Sequence, residues 1–496
     1  MMITFLMICY LLFWLNSCAT SRQISNEMDP LESLQAELLY LISDPNLANA
    51  HIGMVIESLE DGKTLFRHKE HKIFIPASNM KLFTSAAALS ILKPEFQFRT
   101  YFYTNGSLDK GTLHGDLIIR GTGDPTISGR FRDNDIFAHF KDWQDSLRQA
   151  GIQRIKGKII ADESVFIGSK VRSSWQWDDL PFYYAAQIGA LSFNDNCIDL
   201  EITPTDQPSD SVVINMSPAF AEVNIINRAG TVHRDSLKTF EISRERGRNT
   251  ITLSGGIPAG SSVIRQSITI EDPANYFVQV LHHFWRLNGM DISGKPDVIS
   301  EKSSIDYDQL SVLFIHHSAA LPELLKVVNK NSNNFFAEQF LNTLGMARHA
   351  EGSQQAGLRA MNNWAASIGI APAEFIMVDG SGLSRKNLIS PFSTAALLRY
   401  MYRHPHFNVF TESLPIAGVD GTLRSRMKDT RAAGNVRAKT GFVGNTRCLS
   451  GYINDADGRP YLFVIMINNY VVPTPYANNL QDKICVLLSN FSRKGR

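Results

Sequence analysis

The sequence predicts an α/β (α+β) protein: an antiparallel sheet between helices, an all-helical lobe beside it, and a large, mainly β inserted region. Three observations carry this. Hairpin signals lie near both ends of the chain, around Asp61-Gly62 and around Asp457-Gly458, where Asp-Gly supplies the positive-φ positions of a tight turn. Between residues 98 and 289 the chain is dominated by β-branched alternation of period two, the mark of strands. Helical patterns rich in Ala and Leu flank that stretch. A chain of 496 residues has room for two or three domains with substantial cores.

Taken in order, residues 3–15 are an apolar run of about thirteen residues, too short to span a bilayer and suited to the core of a signal peptide. The run ends in Leu15-Asn16-Ser17-Cys18, which resembles a lipoprotein processing box. Residues 1–18 therefore read as a signal peptide with Cys18 as the lipidated first residue of the mature protein, and 19–30 as a polar tether. No Lys or Arg precedes the run and Asn16 is unusual at its position, so plain signal cleavage or an uncleaved anchor are the alternatives. Residues 52–59 and 64–74 read as strands, and Pro76 precedes an Ala-rich helical run from Lys81 to Leu89. Strands are expected at 116–120, 154–161, 197–203, 210–215, 251–254 and 262–270. A helical pattern opens at Asn334, and 436–441, 447–454 and 461–468 alternate as strands. The last helix, about 476–491, turns Leu480, Ile484, Leu487 and Leu488 to one face. The expected division is a catalytic domain from 31–97 and 290–496, with 98–289 inserted as one or two mainly β subdomains.

The net charge of +1 makes no electrostatic claim on nucleic acid or anionic lipid, and no nucleic-acid or phosphate-loop motif is present. Beyond Cys18 the mature cysteines are Cys197, Cys448 and Cys485, of which Cys448 and Cys485, in core strand and core helix patterns, read as buried free thiols. His68, His71, His282-His283 and His316-His317 form no ligand spacing, so neither a metal nor another cofactor is expected.

The chemistry concentrates in three motifs that fall in one order: Ser78-Asn79-Met80-Lys81, Ser332-Asn333-Asn334 and Lys439-Thr440-Gly441. They match S-x-x-K, S-x-N and K-T-G of penicillin-interacting serine acyl-enzymes. The first two patterns recur elsewhere, at Ser90–Lys93, Ser107–Lys110, Ser425–Lys428 and Ser192–Asn194, in helix-end, turn or charged contexts; K-T-G occurs once. One helical turn brings Ser78 and Lys81 to the same face. A helix N-terminus offers free N–H groups to an oxyanion, and burial beside a second cation lowers a lysine pKa towards that of a useful base. Ser332 offers a hydroxyl for proton relay and Asn334 an amide for the substrate backbone. Lys439 supplies positive charge, Thr440 a hydroxyl for a terminal carboxylate, and Gly441 close approach at a strand edge. The backbone N–H of Phe442, with that of Ser78, completes an oxyanion hole. Glu338–Asn342 spells E-x-x-L-N, the run that carries the deacylating glutamate of class A β-lactamases. It begins so soon after Asn334 on the same helix that it reads as helix only.

Longer stretches extend the likeness: GDLIIRGTGDP from Gly115, ALSFNDN from Ala190, NKNSNNFFAE from Asn329, DGSGLSRKN from Asp379, and LPIAGVDGTLRSRM, VRAKTG and LSGYI between Leu414 and Ile453. Over roughly residues 30–490 the chain resembles the class C low-molecular-mass penicillin-binding proteins, the D-alanyl-D-alanine carboxypeptidase/endopeptidase family. The resemblance implies the penicillin-interacting serine acyltransferase fold with a bipartite insertion after the first motif. It also implies an exported, periplasmic hydrolase that acts on peptidoglycan stem peptides and is acylated by β-lactam antibiotics. In that reading Ser78 attacks the carbonyl between two D-alanines, Lys81 takes its proton, and Ser332 with Lys439 returns one to the leaving D-alanine. Cutting D-alanyl–diaminopimelyl cross-links would be the endopeptidase action of the same site. The family pairs an acidic residue of the insert with an arginine of the catalytic domain to recognise the third peptide residue. Asp179, with Tyr184 beside it, and Arg385 match these positions. Phe442 and Gly444 depart from the pattern, replacing a hydroxyl residue and a polar side chain. Two other functions compete: a β-lactamase, which needs a deacylation base, and a non-catalytic peptidoglycan-binding lipoprotein, which needs none of the motif residues.

Overall fold

The computed structural model describes residues 29–494 apart from 302 and 304; the proposed signal peptide and Cys18 lie outside the described residues. The central sheet is antiparallel and five-stranded, in the order Thr64–His68, His51–Ser58, Pro460–Asn468, Thr446–Asn454, Arg437–Val443. The two ends of the chain thus meet at its middle, with Ile52 opposite Ile467 and Val55 opposite Val464. Pro460–Asn468 is buried along nearly its whole length because helices cover both faces of the sheet. On one face Thr474–Asn490 lays Leu480, Ile484 and Leu488 against the strands, joined by Leu34 and Leu38 of Pro30–Ile42. This matches the apolar stripe read from the last helix.

On the other face runs Met80–Leu92, in which every residue from Met80 to Leu89 is buried. A helix apolar on all sides needs protein all round it. Here the sheet lies below, and the helices Leu321–Lys330, Asn334–His349, Gln354–Ser367, Pro391–Tyr402 and Phe407–Ser413 close over it as one helical lobe.

A third core lies within the inserted region. It is a five-stranded sheet in the order Asp297–Ile299, Ile159–Asp162, Leu117–Arg120, Arg99–Thr104, Ser311–His317. The sheet is mixed: Ile159–Asp162 pairs parallel with both Asp297–Ile299 and Leu117–Arg120, and Arg99–Thr104 pairs antiparallel with both its neighbours. Its strands continue past residue 289. Two three-stranded sheets follow, one on Cys197–Thr203 and one on Thr250–Pro258.

Three local expectations need correction. The strand from residue 64 ends at His68, after which Lys69 takes a φ of 48° and the chain rejoins by a single bridge from Phe74 to Ile389. Residues 154–161 form two short strands, Arg154–Ile155 and Ile159–Asp162, in different sheets. The insert also holds two helices, Ala138–Gln149 and Pro273–Leu287, whose Trp143 and Trp285 fill its core.

Insert and helical lobe are fastened by a buried ion pair. Arg172 donates from Nε to Glu338 Oε2 at 2.9 Å and from Nη2 to Asn342 Oδ1 at 2.9 Å, with both charged side chains at 1% exposure or less. Removing one partner of such a pair strands a buried charge, at a cost of about 3–5 kcal/mol. Arg172→Met is therefore expected to lower the thermal unfolding midpoint markedly. Arg172→Met/Glu338→Gln should recover much of the loss, and calorimetry of the two variants checks this.

Candidate active site

Ser78 sits in a one-turn 3-10 segment, Ala77–Asn79, directly ahead of the buried helix. Burial of that helix drags Lys81 inside with it, to 0% exposure. Its Nζ contacts three acceptors, one for each ammonium hydrogen: Ser78 Oγ at 2.8 Å, Asn334 Oδ1 at 2.6 Å and the Ser381 carbonyl at 2.7 Å. Burial lowers the Lys81 pKa to about 7, against the opposing pull of the buried Asp379 and Glu338 carboxylates. Asp379 itself is raised to about 6 by burial and by Glu338.

Lys439 is equally buried. It donates to Ser332 Oγ at 2.8 Å and to its neighbour's carbonyl, that of Thr440, at 2.9 Å. Its pKa falls well below the ordinary value, first through burial and then through Lys81. The second cation expected beside Lys81 is Lys439: the two buried ammonium groups oppose each other's protonation, while the Asp379 and Glu338 carboxylates favour that of Lys81.

The backbone around these groups is held in uncommon conformations. Ser332 has φ 56° and Ala77, just before Ser78, φ 46°. For residues other than glycine this left-handed region is sparsely populated and persists only where the surroundings enforce it. Gly441 lies against the Ser78 turn so tightly that a Cβ there would stand 2.6 Å from the Pro76 carbonyl oxygen. The close strand-edge approach expected of this glycine is thus realised.

Ser78, Ser332, Asn334, Thr440 and Phe442 open onto one cleft of about 560 Å³, together with Asp179, Tyr184, Arg385 and Gly444. The structure therefore brings together the three motifs and the three residues expected to recognise the third peptide residue. Lys81, Lys439 and Gly441 stand behind the cleft wall. Asn334 accepts from Lys81 and also donates from Nδ2 to the Tyr184 carbonyl at 2.7 Å, which ties the insert to the cleft. Tyr184 donates its hydroxyl to Asp179 Oδ1 at 3.1 Å. Burial raises the Asp179 pKa, with the tyrosine hydrogen bond and Arg385 pulling the other way.

The two departures from pattern have physical accounts. Phe442 is 59% exposed, and the Arg447 guanidinium lies 3.5 Å from its ring centroid, a cation–π stack that keeps the ring at the cleft rim. Gly444 leaves room for Arg385, because a Cβ there would come within 2.6 Å of the guanidinium Nη2.

Several contributors escaped the sequence. Thr422 receives the Thr440 hydroxyl at 2.8 Å and lines the cleft; it lies in the LPIAGVDGTLRSRM run, where its position was the available signal. Ser381 takes part through its carbonyl, which no side-chain pattern reports. Glu338 has no access to the cleft: its carboxylate is held by Arg172 and accepts the Ser381 N–H at 2.8 Å. Cys197, Cys448 and Cys485 are buried and free. No group of three His, Cys, Asp or Glu residues suited to a metal ion occurs among the described residues.

Known proteins resemble this chain over most of its length. The chain is 32% identical over 475 residues to a D-alanyl-D-alanine carboxypeptidase of Actinomadura sp., a match covering 93% of this chain and 85% of the relative. It is 27% identical over 425 residues to the D-alanyl-D-alanine carboxypeptidase DacB of Haemophilus influenzae, covering 85% and 86%. The crystal structure of penicillin binding protein 4 (dacB) from Haemophilus influenzae superposes with a TM-score of 0.80 at 24% identity, covering 92% of this chain and 99% of that one. At that identity the superposition establishes the fold. A family model matches residues 34–491, and on that extent the chain belongs to the D-Ala-D-Ala carboxypeptidase 3 (S13) family.

Proposed function

We propose that this protein is a serine D,D-peptidase that hydrolyses the terminal D-Ala–D-Ala bond of peptidoglycan stem peptides through an acyl-enzyme on Ser78. One observation carries the reading: a buried amine of lowered pKa lies 2.8 Å from the hydroxyl of a serine that faces a cleft. Neutral Lys81 takes the Ser78 proton as Oγ bonds to the carbonyl carbon. The backbone N–H groups of Ser78 and Phe442 hold the oxyanion. The C–N bond breaks as the proton taken up by Lys81 is passed to the leaving D-alanine nitrogen through the Ser332 hydroxyl, which Lys439 orients, and Lys81 is neutral again. Water then attacks the ester, and its proton returns by the same route as Ser78 is restored. Asn334 holds Lys81 in place, while the Thr440 hydroxyl donates to Thr422 and leaves the Thr422 hydroxyl as a donor to the substrate's terminal carboxylate.

Asp179 and Arg385 stand ready for the amino and carboxyl groups of a zwitterionic third residue, which supports diaminopimelate-type stems and, by the same site, endopeptidase action on D-Ala–diaminopimelate cross-links. The β-lactamase reading is weaker because the cleft carboxylate nearest in kind, Asp179, is engaged with Tyr184, and Glu338 is enclosed. A binding protein without catalysis would have no use for a base of pKa about 7 held against its serine. We read the chain as a catalytic unit built from both ends, with a segment from about residue 98 to beyond 289 inserted in it.

Export follows from a peptidoglycan substrate, and the 3–15 run with Cys18 supports a periplasmic lipoprotein held to a membrane by its lipid. Fatty-acid labelling of the full-length protein should vanish in Cys18→Ala; persistent labelling would remove the tether from this account.

Release of D-alanine from a pentapeptide tests the peptidase reading. Because the neutral amine is the base, kcat/KM is expected to rise with pH through about 7 and to fall about tenfold per unit below it. A profile flat from pH 5 to 8 would remove Lys81 from the role of base. In the same assay Arg385→Ala should lower kcat/KM ten- to a hundredfold or so for a diaminopimelate-containing peptide. A peptide with an uncharged third residue should be little affected.

A further inference from the structure

The segment 177–184 separates the catalytic cleft from a second, larger one. This second cleft, of about 910 Å³, lies wholly within the inserted region, over the strands Glu241–Arg244 and Ile264–Thr269. Asp179 and Tyr184 line both clefts, so the wall between them is one segment thick.

The second cleft mixes two kinds of surface. Trp177 stands at its edge with 69% of its surface exposed, although its near neighbour Trp175 is buried and donates its indole N–H to Asp379. An indole that exposed is a flat apolar face without a partner. Phe240 and Ile242 extend the apolar surface from the strand opposite. Between them come polar groups of both signs. Lys238 and Arg246 make no ion pair among the described residues, Glu241 and Gln266 add acceptors, and the groups already matched are Arg244 with Glu271 and Asp179 with Tyr184.

Each class of ligand meets this lining differently. A polyanion would be repelled by Asp178, Asp179 and Glu241, and an apolar peptide would strand Lys238 and Arg246. A pyranose ring suits both surfaces: its C–H faces stack on an aromatic plane, while its hydroxyl and acetamido groups need donors and acceptors together. In a peptidoglycan stem two residues and a lactyl link separate the third residue from the muramyl ring, about 10 Å of extended chain. A stem whose third residue lies against Asp179 can therefore place its sugar across the shared wall.

We propose that the second cleft is a saccharide subsite that holds the muramyl end of the glycan strand while the attached peptide is cut. The inference rests on the peptidase reading, and it assigns to the insert a part in substrate selection separate from the recognition of the third residue.

The test compares two substrates on the full-length protein: N-acetylglucosaminyl-N-acetylmuramyl pentapeptide and the same pentapeptide without sugar. The wild type is expected to favour the glycosylated form about tenfold in kcat/KM, mainly through KM. Trp177→Ala, an exposed position, should abolish that preference and leave the sugar-free rate within about twofold; Lys238→Ala/Arg246→Ala should reduce it. Equal losses on both substrates, or no preference in the wild type, would overturn the proposal. So would a Trp177→Ala defect confined to a sugar-free cross-linked peptide dimer, which would assign the cleft to a second stem. Binding of N-acetylglucosaminyl-N-acetylmuramyl dipeptide, which lacks the scissile bond, reads the subsite without turnover. Its Kd should weaken about tenfold in Trp177→Ala and stay unchanged in Ser78→Ala, even if the peptidase reading fails; an unchanged Kd in Trp177→Ala would refute the subsite.

Discussion

Everything in the cleft depends on keeping one lysine amine dry. Lys81 is drawn inside because the helix that carries it is largely apolar, buried on every side and roofed by the helical lobe. Water is thereby excluded from an amine that would hold its proton in solution. Three acceptors fix its position, and each comes from a different part of the chain: Ser78 from its own turn, Asn334 from the helical lobe, Ser381 from the loop ahead of Pro391–Tyr402. The buried acids behind it, Asp379 and Glu338, limit how far burial can lower its pKa. The amine is thus balanced near neutrality by opposed electrostatic effects.

The inserted region is built into that balance. Arg172, from the insert, neutralises Glu338, and the Trp175 indole donates to Asp379 at 3.0 Å. A few residues on, the Tyr184 carbonyl accepts from Asn334, the same amide that holds Lys81. The segment from Arg172 to Tyr184 therefore reaches the acids behind Lys81 and the amide in front of it. That connection explains why the insert can be large without standing apart from the chemistry, and why its second cleft opens so close to the first.

How much of this was legible in the sequence follows from the range of the interactions. The Ser78–Lys81 pair is local, one helical turn, and its spacing announces it. The antiparallel sheet and the last helix were likewise written in turn dipeptides and apolar periodicity. K-T-G marks its strand, though not that a bare Gly441 would let that strand press on the Pro76 carbonyl. Illegible were contacts made by backbone or across large separations: the Ser381 carbonyl, Thr422 against Thr440, Arg172 against Glu338. The strand expected to run to residue 74 failed because Lys69 breaks it with a positive φ that few residues other than glycine signal. The buried acids near Lys81 were hidden for the same reason, since Glu338 and Asp379 are remote from it in sequence.

The most direct test of the central claim is intact-protein mass spectrometry after incubation with benzylpenicillin, on the wild type and on Ser78→Ala. A long-lived adduct of one penicilloyl group on the wild type, absent from Ser78→Ala, is the predicted result. An adduct that survives in Ser78→Ala, or none on either protein, would contradict Ser78 as the nucleophile. Rapid loss of the wild-type adduct with continued consumption of the antibiotic would make the protein a β-lactamase instead.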